Sequence, residues 1–224
     1  MRLAGLFSGG KDSAYAIYRA MQLHEIASLI TIKSKNPESY MFHTPNTGIT
    51  QLQAEAAGLP LIVAETEGKK EAELADLKEA VKKAVELFRI EGVVTGAIGS
   101  VYQAARIQKI CDELGLWCFN PLWQLDQLQL LDDLLKNKFE VIIVGVAAYP
   151  FDESWLGKRL DRKAVKELAG LKEKYKINPA GEGGEFESFV LSAPFFRKKI
   201  NVKKSSARFS GNHGVFEIKE AELE

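Results

Sequence analysis

The chain of 224 residues is 46% hydrophobic and carries 30 basic and 30 acidic side chains. That is enough apolar material for one large core or two small ones. The charge balance counts against a protein that grips long nucleic acid, which runs to a basic surplus. No apolar run reaches the length of a membrane span, and the chain enters its first strand with no room for a signal peptide, so a cytoplasmic protein is expected.

In chain order, residues 2–7 read as a strand and 11–23 as a helix. Between them lies Ser8-Gly9-Gly10-Lys11-Asp12-Ser13. A strand, a glycine turn and a helix start aim backbone N–H groups and the positive end of the helix dipole at an anion. Gly9 and Gly10 allow close backbone approach, Lys11 adds a point charge, and Ser8 and Ser13 add hydroxyls. Gly5, Gly10 and Lys11 stand at the spacing of a Walker A loop, but Asp12 occupies the place of the Mg²⁺-ligating Ser or Thr. The full match is to Ser-Gly-Gly-x-Asp-Ser, the loop of enzymes that split ATP between its α and β phosphates.

Ile26–Lys33 reads as the second strand, followed by a polar loop over 34–47 that includes His43, a candidate substrate contact. A helix from Thr47 or Gly48 ends near Gly58. Leu61–Ala64 is a short strand, 70–90 an amphipathic helix, Val93–Thr95 a strand and 100–114 a helix. Short apolar strands separated by helices predict a doubly wound parallel sheet with ligands at the carboxyl ends of its strands. The glycine loop and Thr95-Gly96-Ala97 then share one cleft. Tyr102, Gln103 and Arg106 open the next helix behind a Ser100 cap and can reach that cleft; on spacing alone the same residues read as a capped surface helix.

After about residue 120 the pattern changes. Residues 124–137 read as a Leu-rich helix, Glu140–Ala147 as a buried strand and 161–175 as a charged helix. Short strands follow at Ser188–Leu191, Ile200–Val202 and Val215–Ile218. This predicts a nucleotide-binding domain over 1–122 and a smaller α+β domain over 123–224. Glu182, Glu185 and Glu187 stand on one glycine-rich turn, where like charges call for a cation. Trp123, Tyr149, Phe186 and Phe189 are candidate walls of that pocket; a solvated acidic turn is the plainer alternative. Cys111 and Cys118 form no Cys-x-x-Cys motif and read as small buried residues, which leaves no cysteine nucleophile for glutamine hydrolysis; if the chain transfers nitrogen, free ammonia is the expected donor.

Taken together, Ser8–Ser13, Glu38–His43, Gly96–Arg106, Pro121-Leu122-Trp123, Gly145–Ala148 and Gly181–Ser188 resemble the diphthine–ammonia ligase family of ATP pyrophosphatases. Many relatives have Glu-Thr where this chain has Glu187-Ser188, and the chain lacks the C-terminal extensions of larger relatives. The resemblance implies an adenine nucleotide alpha hydrolase-like fold. It also implies ATP-dependent amidation of diphthine on translation elongation factor 2, through an acyl-adenylate that ammonia attacks, with AMP and pyrophosphate released. Under it, Ser8, Gly9, Gly10, Lys11 and Ser13 hold phosphates, with Lys11, Asp12 and Ser13 at the chemistry. Asp12 orients the loop or holds Mg²⁺. Gly96, Tyr102, Gln103 and Arg106 meet the nucleotide. His43, Trp123, Glu182, Glu185 and Glu187 meet diphthine or ammonium, whose quaternary or simple cation suits carboxylates and ring faces. No membrane and no direct nucleic-acid contact are expected, and a homo-oligomer is left open. A pyrophosphate-loop ligase acting on a tRNA base or a small metabolite, or an ATP-binding protein without turnover, remains as an alternative.

Overall fold

The computed structural model describes residues 1–36, 46–69 and 72–224. The first half alternates strand and helix: β1 (Arg2–Leu6), α1 (Lys11–Met21), β2 (Glu25–Ser34), α2 (Thr50–Ala57), β3 (Leu61–Thr66), α3 (Ala72–Phe88), β4 (Gly92–Val94), α4 (Val101–Leu114) and β5 (Trp117–Phe119). The five strands are all parallel, in the order β3-β2-β1-β4-β5. The chain therefore winds outward from β1 to β3, then crosses back to β4. The switch in direction falls between the carboxyl ends of β1 and β4, where open α/β sheets bind ligands.

Alternation along the strands distributes side chains to two faces. Leu3 and Leu29 turn to one core, with Ala14 and Ile17 of α1; Ala4 and Ile30 turn to the other, with Leu77 and Val81 of α3 and Ile107 and Ile110 of α4. The doubly wound parallel sheet expected from the sequence is the observed one.

The second half holds α5 (Gln127–Lys136), β6 (Glu140–Val146), α6 (Arg162–Tyr175), β7 (Phe186–Ser192), β8 (Ile200–Ser210) and β9 (His213–Leu223). Its four strands form a separate antiparallel sheet ordered β7-β6-β9-β8. Two expectations need correction. β5 was not foreseen, because three residues are too short a run to show a period. The last two strands are 11 residues each, far longer than expected. β8 is an edge strand whose middle, Lys203 to Ser205, is exposed, so it carries no inward apolar alternation to read.

Helix α1 lies between the two sheets. Its Tyr15 and Tyr18 meet Phe139 edge-on at 5.7 Å each, Tyr18 Oη donates to Asn137 Oδ1 at 3.0 Å, and Leu130, Leu131 and Leu134 complete the same core as Ile143 and Val190. The N-terminus of α1 is thus set against the second half of the chain as well as the first. Among the described residues, no helix is long and apolar enough to cross a membrane.

Candidate active site

The site begins with the turn after β1. Gly9 has φ +84°, a left-handed backbone, and a Cβ there would collide with Gln53 Oε1. The Gly9 carbonyl is turned away from the cleft: it accepts from Gln53 Nε2 at 2.9 Å and from the Val190 N–H at 3.0 Å. Gln53, fully buried on α2, also donates to the Val190 carbonyl at 2.8 Å. The serine hydroxyls stiffen the turn from inside: Ser8 Oγ and Ser13 Oγ lie 3.2 Å apart, and Ser13 Oγ donates to the Gly10 carbonyl at 3.1 Å. Helix α1 starts at Lys11 behind Gly10, which has no side chain to cap it, and Gly10, Lys11, Asp12 and Ser13 at its N-terminus line the cleft.

Lys11 is only 2% exposed. Its Nζ pairs with Asp12 Oδ2 at 2.9 Å and stands 5.2 Å from the centroid of the Phe186 ring. Asp12 Oδ1 is buried and has no hydrogen-bond partner among the described residues. The Thr95–Ala97 loop closes over the same turn: a Cβ on Gly96 would lie 2.8 Å from the Ser13 backbone nitrogen, so only glycine lets the two loops meet. Thr95 Oγ1 holds that loop by donating to Asn120 Oδ1 at 2.7 Å and accepting from the Ala97 N–H at 3.1 Å.

The glutamate turn comes from the other half of the chain. Glu182 Oε1 accepts from the backbone N–H groups of Gly99 and Ser100, both at 2.9 Å, which ties the turn to the start of α4. Burial, set against those bonds, pushes the Glu182 carboxyl above its usual range. Burial pushes Glu187 further, up to about 7, with Lys11 pulling it down and Asp12 pushing it up. A cleft of about 470 Å³ results. Ser8, Gly10, Lys11, Asp12, Ser13, Gly96, Gln103, Glu182 and Glu187 line it, all of them expected from the sequence.

Other expected residues stand elsewhere. Glu185 does not line the cleft. Its Oε1 accepts from the Asn178 N–H and Nδ2, and its Oε2 from the Gly183 N–H, each at 2.8 Å. It braces the turn that carries its neighbours, because a carboxylate two residues from a tight glycine turn finds backbone donors first. Tyr102 and Arg106 pack on each other, guanidinium carbon 3.4 Å from the ring centroid, and Trp123 is 38% exposed; none of the three lines the cleft. The aromatic wall also needs correction. Phe186 lines the cleft but lies under Lys11, Phe189 is in the core on another face of β7, and Tyr149 is 66% exposed outside the lining. His43 lies outside the described residues.

Sequence reasoning missed Gln53 and, on β2, Ile30 and Ile32, and it named Ser188 only as the end of the glutamate turn, with no role. The two isoleucines, with Leu6, Phe7 and Ile107, give the cleft an apolar side next to the glycine loop. Only the rule that ligands sit at strand ends pointed to them; the partners of Gln53 and Ser188 are too distant in sequence to be read.

A glycine loop with a buried lysine, set at the switch point of a doubly wound sheet, defines a phosphate-loop α/β protein. Residues 1–118 match the diphthamide synthase N-terminal domain and 126–223 match the diphthamide synthase C-terminal domain. The chain belongs to the diphthamide synthase family, whose curated relatives are named diphthine–ammonia ligase. The bovine protein of that name is 36% identical over 225 residues, covering 92% of this chain and 84% of that protein. The one from Schizosaccharomyces pombe is 34% identical and covers 89% of this chain but 36% of its own. Among solved structures, a predicted subunit of tRNA methyltransferase from Methanocaldococcus jannaschii aligns with a TM-score of 0.46 at 19% identity, over 86% of this chain and 98% of that one.

Proposed function

We propose that this protein is an AMP-forming carbon–nitrogen ligase that amidates diphthine on translation elongation factor 2 with ammonia. The observation that carries this reading is the joining of the glycine loop and the glutamate turn in one cleft, by Glu182 to Gly99 and Ser100 and by β7 to Gly9. Family membership supports it, as do ligase relatives that share a third or more of the sequence.

In this reading, residues 1–122 bind ATP and 123–224 receive the acceptor. The adenine lies on the apolar side at Ile30, Ile32 and Ile107, with Gln103 beside it. Ser8, Gly9, Gly10, Lys11 and Ser13 hold the β and γ phosphates. An acceptor carboxylate oxygen attacks the α phosphorus, the bond to the β-phosphate oxygen breaks, and pyrophosphate departs. The Lys11 ammonium meets the charge that builds on it. Ammonia then adds to the acyl carbon and AMP leaves. Ammonium and the trimethylammonium of diphthine meet Glu182 and Glu187, with Glu185 holding the turn in shape. Catalysis rests on positioning and on fixed charge, with no covalent nucleophile.

The unpartnered Oδ1 of Asp12 fits a divalent cation, although among the described residues no three His, Cys, Asp or Glu side chains gather around a metal position. Mg²⁺ would be held by Asp12 together with nucleotide phosphate oxygens, and would neutralise phosphate charge. The cytoplasm, where an elongation factor works, is the compartment this reading gives. The test is transfer of ¹⁵N from labelled ammonium to a diphthine-bearing elongation factor. The label should enter the acceptor only when ATP is present; an acceptor that stays unlabelled with ATP and ammonium in excess rejects the reading.

A further inference from the structure

The phosphate loop is completed from the far end of the chain. The Lys11 N–H, the first of the orphan donors at the start of α1, donates to Ser188 Oγ at 3.1 Å. Gly10 supplies no cap of its own, so a residue 177 positions away does so. Ser188 is buried, lines the cleft, and presses on the loop: its carbonyl and Oγ lie 3.3 and 3.5 Å from where a Cβ on Gly10 would stand. Neighbouring strand residues normally face opposite sides of a sheet, yet Glu187 and Ser188 both line the cleft. Opposite this step β6 carries an extra residue, Val144, between Ile143, which opposes Ser188, and Gly145, which opposes Glu187, so the ladder is irregular where the two meet the cleft.

A hydroxyl that accepts one hydrogen bond keeps its own proton to donate. Ser188 Oγ therefore stands at a helix N-terminus, beside Lys11 and the Ser8 and Ser13 hydroxyls, with a donor to offer an anion. We propose that Ser188 is a phosphate-binding residue of the ATP site, donating from β7 to the part of the nucleotide that leaves as pyrophosphate. On binding, Ser188 Oγ keeps the bond it accepts from the Lys11 N–H and turns its own O–H to the phosphate. Because Glu187 precedes Ser188 on β7, the strand then fixes the distance between the leaving group and the acidic side of the cleft. This rests on the reading of the glycine loop as an ATP site and names a ligand of that site beyond the loop itself.

The test is calorimetric binding of ATP, pyrophosphate and AMP to the wild-type protein and to Ser188→Ala, Ser188→Cys and Ser188→Thr, each checked for a native melting profile. Ser188→Ala should bind ATP and pyrophosphate about tenfold more weakly or worse, as for a lost hydrogen bond to a charged group, and AMP as wild type does. Ser188→Cys, nearly the same size but a poor donor, should follow Ser188→Ala, which keeps the comparison open if the alanine protein does not fold. Ser188→Thr should stay within about twofold of wild type. Unchanged ATP and pyrophosphate affinity in either folded variant overturns the proposal, and so does an equal loss for AMP. A wild-type protein that binds neither ATP nor pyrophosphate rejects the ATP site itself, a result distinct from either.

Discussion

At the scale of single residues, the charge on Lys11 and the protonation of Glu187 decide most. Lys11 is buried but sits at the cleft with Asp12 as partner, so Lys11→Ala should fold and lose turnover by about 10²-fold or more, as for a lost charge-stabilising donor. Near-normal turnover in the folded variant would remove Lys11 from the chemistry. Glu187 titrates near 7 in the folded protein because burial disfavours its charge. A raised carboxyl means the native state holds a proton that the unfolded state gives up between pH 4.5 and 7. The stabilisation is whole below about 4.5 and is lost as pH rises through about 7. Glu187→Gln cannot lose it. In ligand-free protein the variant should match wild type in unfolding free energy, read from urea titrations, at acid pH and exceed it above pH 7, by at most about 3 kcal/mol. A gap that does not change with pH would contradict the placement of this carboxyl. Residue types were legible from the motif, since Ser8–Ser13 announces its chemistry in six consecutive positions. Pairings such as Lys11 with Ser188, or Gly9 with Gln53, were not, because only the tertiary fold brings them together.

At the scale of elements, the glutamate turn divides its labour. Glu185 spends its carboxylate on Asn178 and Gly183, while Gln127 at the start of α5 donates to Asn178 Oδ1 at 3.1 Å and accepts from the Ala180 N–H at 3.0 Å. Glu185→Ala should therefore destabilise the fold by about 1.5–3 kcal/mol in a urea titration, since it removes part-buried hydrogen bonds to a charged carboxylate. A stability within error of wild type would free Glu185 for a direct role with the acceptor. The elements of the first half other than β5 were legible from apolar strands and helices with one apolar face, as with Leu77, Val81 and Ala84 of α3. The β8–β9 ribbon was not, because its exposed Lys203, Lys204 and Ser205 look like loop. Nor could spacing alone tell that Glu185 turns away from the cleft that Glu182 and Glu187 line. That depends on Gly183 and the Asn178 backbone meeting Glu185 first.

At the scale of the whole molecule, one apolar core runs from Leu3 and Leu29 through α1 to Leu134, Ile143 and Val190, so the two sheets are held in fixed relation. Ser188 and Val190 of the second sheet bond to the loop that follows the first strand of the first. A cleft built from both halves suits a reaction that consumes ATP only when the acceptor is in place. The product of ATP in a complete mixture of nucleotide, ammonium and diphthine-bearing elongation factor tests this most directly. AMP and pyrophosphate should form in step with the new amide, and neither should accumulate at that rate when the acceptor is left out. ADP and phosphate as the main products would contradict the account.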